Sequence, residues 1–268
     1  MALSVILLLT CSAARAEPPW YGTIFHWPDT ITESDPTVFS GVTYAGQGWR
    51  SMYDRRVNSA PSVYAYLFTA TFSDGRPSAE IQVNPEFGRA AAEIEAAKYG
   101  ASIGRLPNVL RRDVGKVMIH KGLEKFGGGG GGILIHTGYA EDVYIPDGIL
   151  EETLAHEAAH TSLDADHASS PGWLQAQIDD GDFISEYSRD YPNREDIAES
   201  FVPYMAIRYR SNRISVEDYN TITTQIPNRI AYFDAQNFDM APIPEPSTLA
   251  LLCTGTLGLL LHTRRKRR

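Results

Sequence analysis

Residues Leu150 to Leu163 contain no Gly or Pro and repeat apolar side chains at Leu154, Ala155, Ala158, Ala159 and Leu163. That spacing predicts a helix with one buried face. Within it His156 and His160 lie four residues apart, so a helix brings their rings to within roughly 40° of each other and one turn apart. Two imidazoles placed in this way converge on one ion. Zn²⁺ suits them, because it accepts neutral imidazole and in catalytic sites keeps a coordination position for water, whose pKa it lowers to near neutrality. Glu157, beside the first histidine, stands where it can take that water's proton.

Two histidines do not hold a catalytic zinc ion, so a third protein ligand is needed. Asp164 follows His160 by four more residues, but a straight helix sets it roughly 12 Å along the axis from His156, too far to share the ion. It can instead orient His160. Asp166 or His167 serves if the chain turns back sharply. Glu195 and Glu199, in Arg194-Glu195-Asp196-Ile197-Ala198-Glu199-Ser200-Phe201, share one helical face. That spacing lets one coordinate the ion while the other accepts from a ligating imidazole.

The His-Glu-x-x-His stretch from His156 to His160 resembles that of the zincin metallopeptidases. This resemblance implies peptide-bond hydrolysis, with His156 and His160 as ligands and Glu157 as general base. Metzincins carry a glycine three residues after the second histidine, where this chain has Leu163. Gluzincins take their third ligand from a Glu on a later helix, and Glu-x-x-Ala-Glu-x-Phe from Glu195 to Phe201 is similar to the second motif of the anthrax lethal factor family. By that resemblance Glu195 is the third ligand, and Tyr187 stabilises the tetrahedral oxyanion. The spacing is one residue longer than the family's, which leaves Tyr191 as an alternative to Tyr187. The resemblance covers about residues 150 to 202.

Both ends of the chain read as addresses. Ala2 to Leu9 are almost wholly apolar and lead to Ala14-Arg15-Ala16, a small-x-small cleavage pattern, as in a secretory signal peptide over residues 1–16, although the usual basic start is missing. Pro244-Glu245-Pro246 precedes an apolar run, Leu249 to Leu261, and then Arg264-Arg265-Lys266-Arg267-Arg268. This order over residues 244–268 resembles the PEP-CTERM sorting signal of Gram-negative bacteria. It implies export, transient anchoring in the inner membrane by a transmembrane segment, and removal of the tail by an exosortase-type enzyme. The expected destination is periplasmic, cell-surface or extracellular. The span is short for a bilayer, and the cations after it hold that end in the cytoplasm with the body outside.

Residues 1–16 and 247–268 hold six of the 24 Lys and Arg and none of the 33 Asp and Glu, so the remainder carries 18 cations against 33 anions, a net charge of −15. Nucleic acid and anionic membrane surfaces are poor partners for such a body. Cys11 and Cys253 both lie in the ends, so any metal must be held by His and carboxylates.

Between the ends the chain reads as one α+β domain, residues 17–240, with a small mixed sheet, a metal-bearing helix and a mostly helical C-terminal half. Pro18 to Ser59 has no clean period and is expected to be irregular with short strands. Ser62 to Phe72 and Ala79 to Val83 flank Ser73-Asp74-Gly75-Arg76 as a hairpin. Gly88 to Tyr99 is expected to be helical, Val114 to His120 a strand, and the six glycines from Gly127 to Gly132 a flexible loop. Ile133 to His136 is a further strand. In zincins the strand leading to the metal helix is the sheet edge on which substrate lies, so Ile133 to Gly138 is the expected peptide rail.

Gly100-Ala101-Ser102-Ile103-Gly104 matches the serine hydrolase pattern without its strand-turn-helix setting, so Gly100 is read as a helix stop. Later helices are expected after Ser170-Pro171, ending at Gly181, after Asn193 as a cap, and after Ser215, the last of them. Pro203 is expected to kink or break the second of these. Ile226 to Phe233 is read as an apolar tail.

Two functions fit these features. One is an exported zinc peptidase acting on peptide or protein substrates, which rests on Glu157 standing between two histidines. The other is a non-catalytic binding protein of the envelope or extracellular matrix with at most a structural metal, which rests on the sorting tail and the aromatic N-terminal third.

Overall fold

The computed structural model describes residues 17–243, so the signal peptide and the apolar sorting span lie outside the described residues. Six strands form one mixed sheet: β1 (Phe39–Ser51), β2 (Ser62–Phe72), β3 (Ala79–Val83), β4 (Lys116–His120), β5 (Gly127–Gly129) and β6 (Gly132–His136), in the order β1-β2-β3-β4-β6-β5. The β3, β4 and β6 neighbours run parallel, while β1 with β2, β2 with β3, and β5 with β6 are antiparallel. Ten helices accompany the strands among the described residues: α1 (Arg89–Ile103), α2 (Asn108–Arg111), α3 (Thr137–Tyr139), α4 (Leu150–Ser162), α5 (Asp164–His167), α6 (Pro171–Asp180), α7 (Glu186–Asp190), α8 (Asp196–Tyr209), α9 (Val216–Gln225) and α10 (Pro227–Gln236).

The strand period of two sorts side chains between two apolar layers. Val117, Ile119, Ile133 and Ile135 face the main core with Phe68 and Ile81, whereas Met118 and Leu134 join Met52, Ala65 and Leu67 on the other face. Helix α1 covers the sheet's β1 to β3 side, and α4 packs on β5 and β6 while also meeting α8. The helix that carries His156 and His160 is therefore wedged between sheet and helical half.

Several expectations are corrected. The irregular N-terminal region contains β1, a thirteen-residue strand whose pairing shifts register at Gly41 and Gly46, and those irregularities erase the alternation a regular strand would show. The glycine run is not a loop but a tight hairpin, with Gly127 to Gly129 paired to β6 and positive φ at Gly129, Gly130 and Gly131. Gly100 does not end its helix; α1 continues to Ile103, and a Cβ at Gly100 would lie 2.6 Å from the Phe39 ring. Its glycine serves close packing.

Asn193 is not a cap, because α8 starts at Asp196 with Glu195 in the cap position. Pro203 does not break α8. It deprives the Glu199 carbonyl of its helical donor, and the Thr23 hydroxyl donates to that carbonyl instead, at 3.0 Å. The apolar tail after Ile226 is a further helix, α10.

Candidate metal centre

Helix α4 carries His156 and His160 on the side facing α8, and Glu195 sits at the start of α8. The two Nε2 atoms are 3.2 Å apart, and Glu195 Oε2 lies 3.1 Å from that of His160 and 3.5 Å from that of His156. Ligands about 2.0–2.1 Å from a tetrahedral zinc ion stand about 3.3 Å from one another. The three donor atoms thus have the spacing of one face of such a tetrahedron, and their chemistry suits zinc.

Groups behind the donors fix their direction. Asp164 Oδ2 accepts from His160 Nδ1 at 2.8 Å, so the Nε2 lone pair turns toward the shared point. Glu199 Oε1 lies 3.5 Å from His156 Nδ1, and its Oε2 accepts from the Thr23 backbone N–H at 2.8 Å and from the Ser185 hydroxyl at 2.6 Å. Tyr187 and Arg194 donate to Glu195 Oε1 at 3.0 and 2.7 Å, which leaves Oε2 for the histidines. The start of α8 is in turn held by buried Arg229, whose guanidinium donates to Asp196 at 2.9 Å and to Asp180 at 2.8 Å. A buried cation of this kind is tolerable because it is paired.

The electrostatics are those of a crowded, desolvated site. Burial opposes the imidazolium of His160, but hydrogen bonds to Asp164 and Glu195 outweigh it and push the ring up to about 10. Burial likewise opposes ionisation of Glu195, yet the two histidines hold its carboxyl far below the usual range. Glu199 is pushed up by burial, partly offset by His156. The proton that Asp164 and Glu195 hold on His160 stands where a metal cation would stand, and binding the ion would release it.

A cavity of about 420 Å³ opens onto this triad, and Glu157, Tyr187 and Arg194 line it. So do Tyr21, Phe25, Arg55, Lys125, Gly128 and Tyr144, none of which the sequence assigns to the site. The N-terminal residues arrive because the chain from Trp20 to Thr23 is stitched to α7 and α8, with Glu186 and Tyr187 N–H groups donating to the carbonyls of Trp20 and Tyr21 at 2.8 and 3.0 Å. Tyr144 stacks edge-on against Phe126 at 4.9 Å. Apart from the glycine run that holds Gly128, no local motif marks these positions.

Of the alternatives, Asp166 and His167 stand apart from the triad. Asp166 pairs with Arg112 at 2.7 Å and His167 bonds the Tyr232 hydroxyl at 2.8 Å, because α5 leads the chain away instead of back. Tyr191 is exposed and packs on Tyr187 without lining the cavity. The peptide rail expected at Ile133 to Gly138 is also corrected: β6 is covered on both sides, by β4 and β5, and its residues are buried. The edge beside α4 is β5. It passes so close to the helix that a Cβ at Gly128 would lie 1.9 Å from the Glu157 carbonyl oxygen, and Gly129 N–H donates to Thr161 Oγ1 at 2.9 Å.

The fold is α+β, and residues 242–266 match the PEP-CTERM protein-sorting motif. The chain matches no curated protein and no solved structure. The motif marks an exported protein sorted at its C-terminus, to the cell envelope or outside, and implies recognition by an exosortase-type sorting enzyme. Among the described residues no helix is long and apolar enough to cross a membrane.

Proposed function

We propose that this exported protein is a zinc-dependent metallopeptidase of zincin type, with His156, His160 and Glu195 as ligands. The observation that carries the reading is Glu157, which lines the same cavity as three donor atoms at tetrahedral spacing. A metal site with a purely structural role has no need of a carboxylate there. A bound zinc ion supplies a Lewis acid that polarises a peptide carbonyl and acidifies water.

The chain's own groups do the rest. Glu157 takes the proton of the attacking water and returns it to the leaving amine, so that one water and one peptide bond become a carboxylic acid and an amine. The Tyr187 hydroxyl, now donated to Glu195, turns to the oxyanion as charge develops on the carbonyl oxygen. Asp164 keeps His160 in the tautomer that presents Nε2, and Glu199, 3.5 Å from His156 Nδ1, stands where a small closure gives His156 the same support. Gly128 and Gly129 of β5 line the cavity, where an extended substrate finds a strand to lie along.

The test uses the full chain. Zinc is counted by mass spectrometry, and peptide hydrolysis is compared between the native protein and Glu157→Gln. The reading expects about one zinc per chain in both and a loss of at least about a hundredfold in kcat for the variant. A second reading, a matrix-binding protein with a structural metal, is favoured by the exposed Trp49 and Tyr64 pair on β1 and β2, whose rings lie 5.3 Å apart. Zinc retained without any hydrolysis by the native protein decides for that alternative.

A further inference from the structure

Among the described residues Arg55 is the one arginine without a carboxylate in ion-pair range; the others, from Arg50 to Arg229, each have one. This exception lines the cavity over the triad, with Lys125, which also lacks an acidic partner, in the same wall. In a body of net charge −15, leaving a guanidinium without a carboxylate at a cleft forgoes a pairing that every other described arginine makes. We propose that Arg55 recognises a carboxylate on the substrate, so that the cleft takes acidic peptides; the proposal rests on the peptidase reading and names its substrate class.

The geometry places the group for that task. The Arg55 guanidinium donates to the Phe126 carbonyl at 2.8 Å and comes within 3.0 Å of where a Gly127 Cβ would be. That bond uses one of five N–H donors and leaves a fork suited to a bidentate carboxylate. Arg56, the next residue, is clamped between Asp54 at 2.7 Å and Glu86 at 2.9 Å, and the Asp54 N–H donates to the Ser59 carbonyl at 2.8 Å. The turn that presents Arg55 is therefore fixed before any ligand arrives. Along β5, Gly128 lies against Glu157, and Arg55 meets the chain one to two residues earlier. At roughly 3.4 Å per residue, the recognised carboxylate sits within about two residues of the cleaved bond. An Asp or Glu side chain and a free C-terminus both present this chemistry.

The test uses the zinc-loaded full chain and quenched fluorescent peptides of one sequence carrying Glu, Gln or Lys within two residues of the cleaved bond. Each is made with a free and an amidated C-terminus. The native protein is expected to show kcat/KM about tenfold higher for the acidic member of a pair than for its neutral isostere. A preference that follows the side chain assigns an internal acid, and one that follows the free terminus assigns the C-terminal carboxylate. Arg55→Gln brings the ratio to about one, and Arg55→Glu inverts it toward the Lys peptide, a gain that a misfolded variant does not make. Acidic and neutral peptides cleaved equally by the native protein, or a preference that survives Arg55→Gln, overturns the proposal. Should no peptide be cleaved, the peptidase reading fails by itself. Fluorescence anisotropy of the same peptides then reads recognition alone, upheld by carboxylate-dependent binding that Arg55→Gln removes and overturned by equal binding.

Discussion

Thr23 and Glu199, 176 positions apart, are joined twice: the Thr23 backbone N–H donates to Glu199 Oε2 at 2.8 Å, and its hydroxyl to the Glu199 carbonyl at 3.0 Å. One threonine thereby mends the gap that Pro203 leaves in α8 and holds the carboxylate that faces His156. Glu199→Gln is expected to weaken zinc binding about ten- to hundredfold, the cost of losing a partner behind a metal ligand. Competition against a fluorescent chelator measures it, and an unchanged affinity contradicts the orienting role.

Asp164 does the same for the second histidine, at 2.8 Å from its Nδ1. Asp164→Asn lowers zinc affinity by about tenfold or more. Because Asp164 is only partly buried, the melting temperature of the zinc-free protein changes little. A large fall in that temperature with no change in affinity points instead to a purely structural part.

On the proposed reading zinc binding is linked to folding, since His156, His160 and Glu195 meet only in the folded chain. Zinc at about a thousand times its dissociation constant adds about 4 kcal/mol. Calorimetry of the full chain is expected to show a lower melting temperature after chelation, restored by zinc. His156→Ala removes both the shift and the bound metal, and a shift that persists in that variant places the ion elsewhere.

The approach of Gly128 to Glu157 leaves no space for a methyl group, as the 1.9 Å separation requires one backbone to move. Gly128→Ala is expected to cost about 1–3 kcal/mol in stability, the usual range for overpacking. Peptide hydrolysis falls with it while zinc content holds, because the edge strand shifts and the ligands on α4 do not. Urea denaturation together with metal analysis separates the two effects, and a variant as stable and active as the native chain shows the contact to be looser than described.

Glu152, on α4, has Oε1 accepting from the Ile31 N–H at 2.7 Å and Oε2 buried without a partner. Burial pushes its carboxyl up to about 8, from an ordinary 4.5. Between those values the folded chain keeps a proton that the unfolded chain releases, so this residue's contribution to stability declines as pH rises from about 4.5 to 8. Glu152→Gln is expected to be stabilising at pH 8 and nearly neutral at pH 4.5, by urea denaturation at each. Equal effects at the two values show that the carboxyl is ionised throughout.

The helix bearing His156 and His160 was legible because its information is local: composition and the spacing of apolar residues report one face over four turns. The strands Ser62–Phe72 and Ala79–Val83 were legible for the same reason, and so was the helix from Pro171 that stops at Gly181. The glycine run misled because its flexibility as free chain says nothing about a helix passing close enough to exclude every side chain. β1 was missed because its register shifts break the period on which a strand is recognised.

For the site, the residue order from His156 to His160 determined the pairing of two imidazoles with a carboxylate between them, since a turn of helix is rigid and its geometry follows from the backbone alone. Glu195 was a candidate by spacing and the choice by resemblance, while only the tertiary structure shows that α8 sets it beside the two histidines and that α5 leads Asp166 and His167 away. Arg55, Tyr144 and the stretch from Tyr21 to Phe25 entered the cavity by the same means. Their places depend on contacts across many tens of residues, and side chains that meet only after the chain has packed leave no periodic trace in its order.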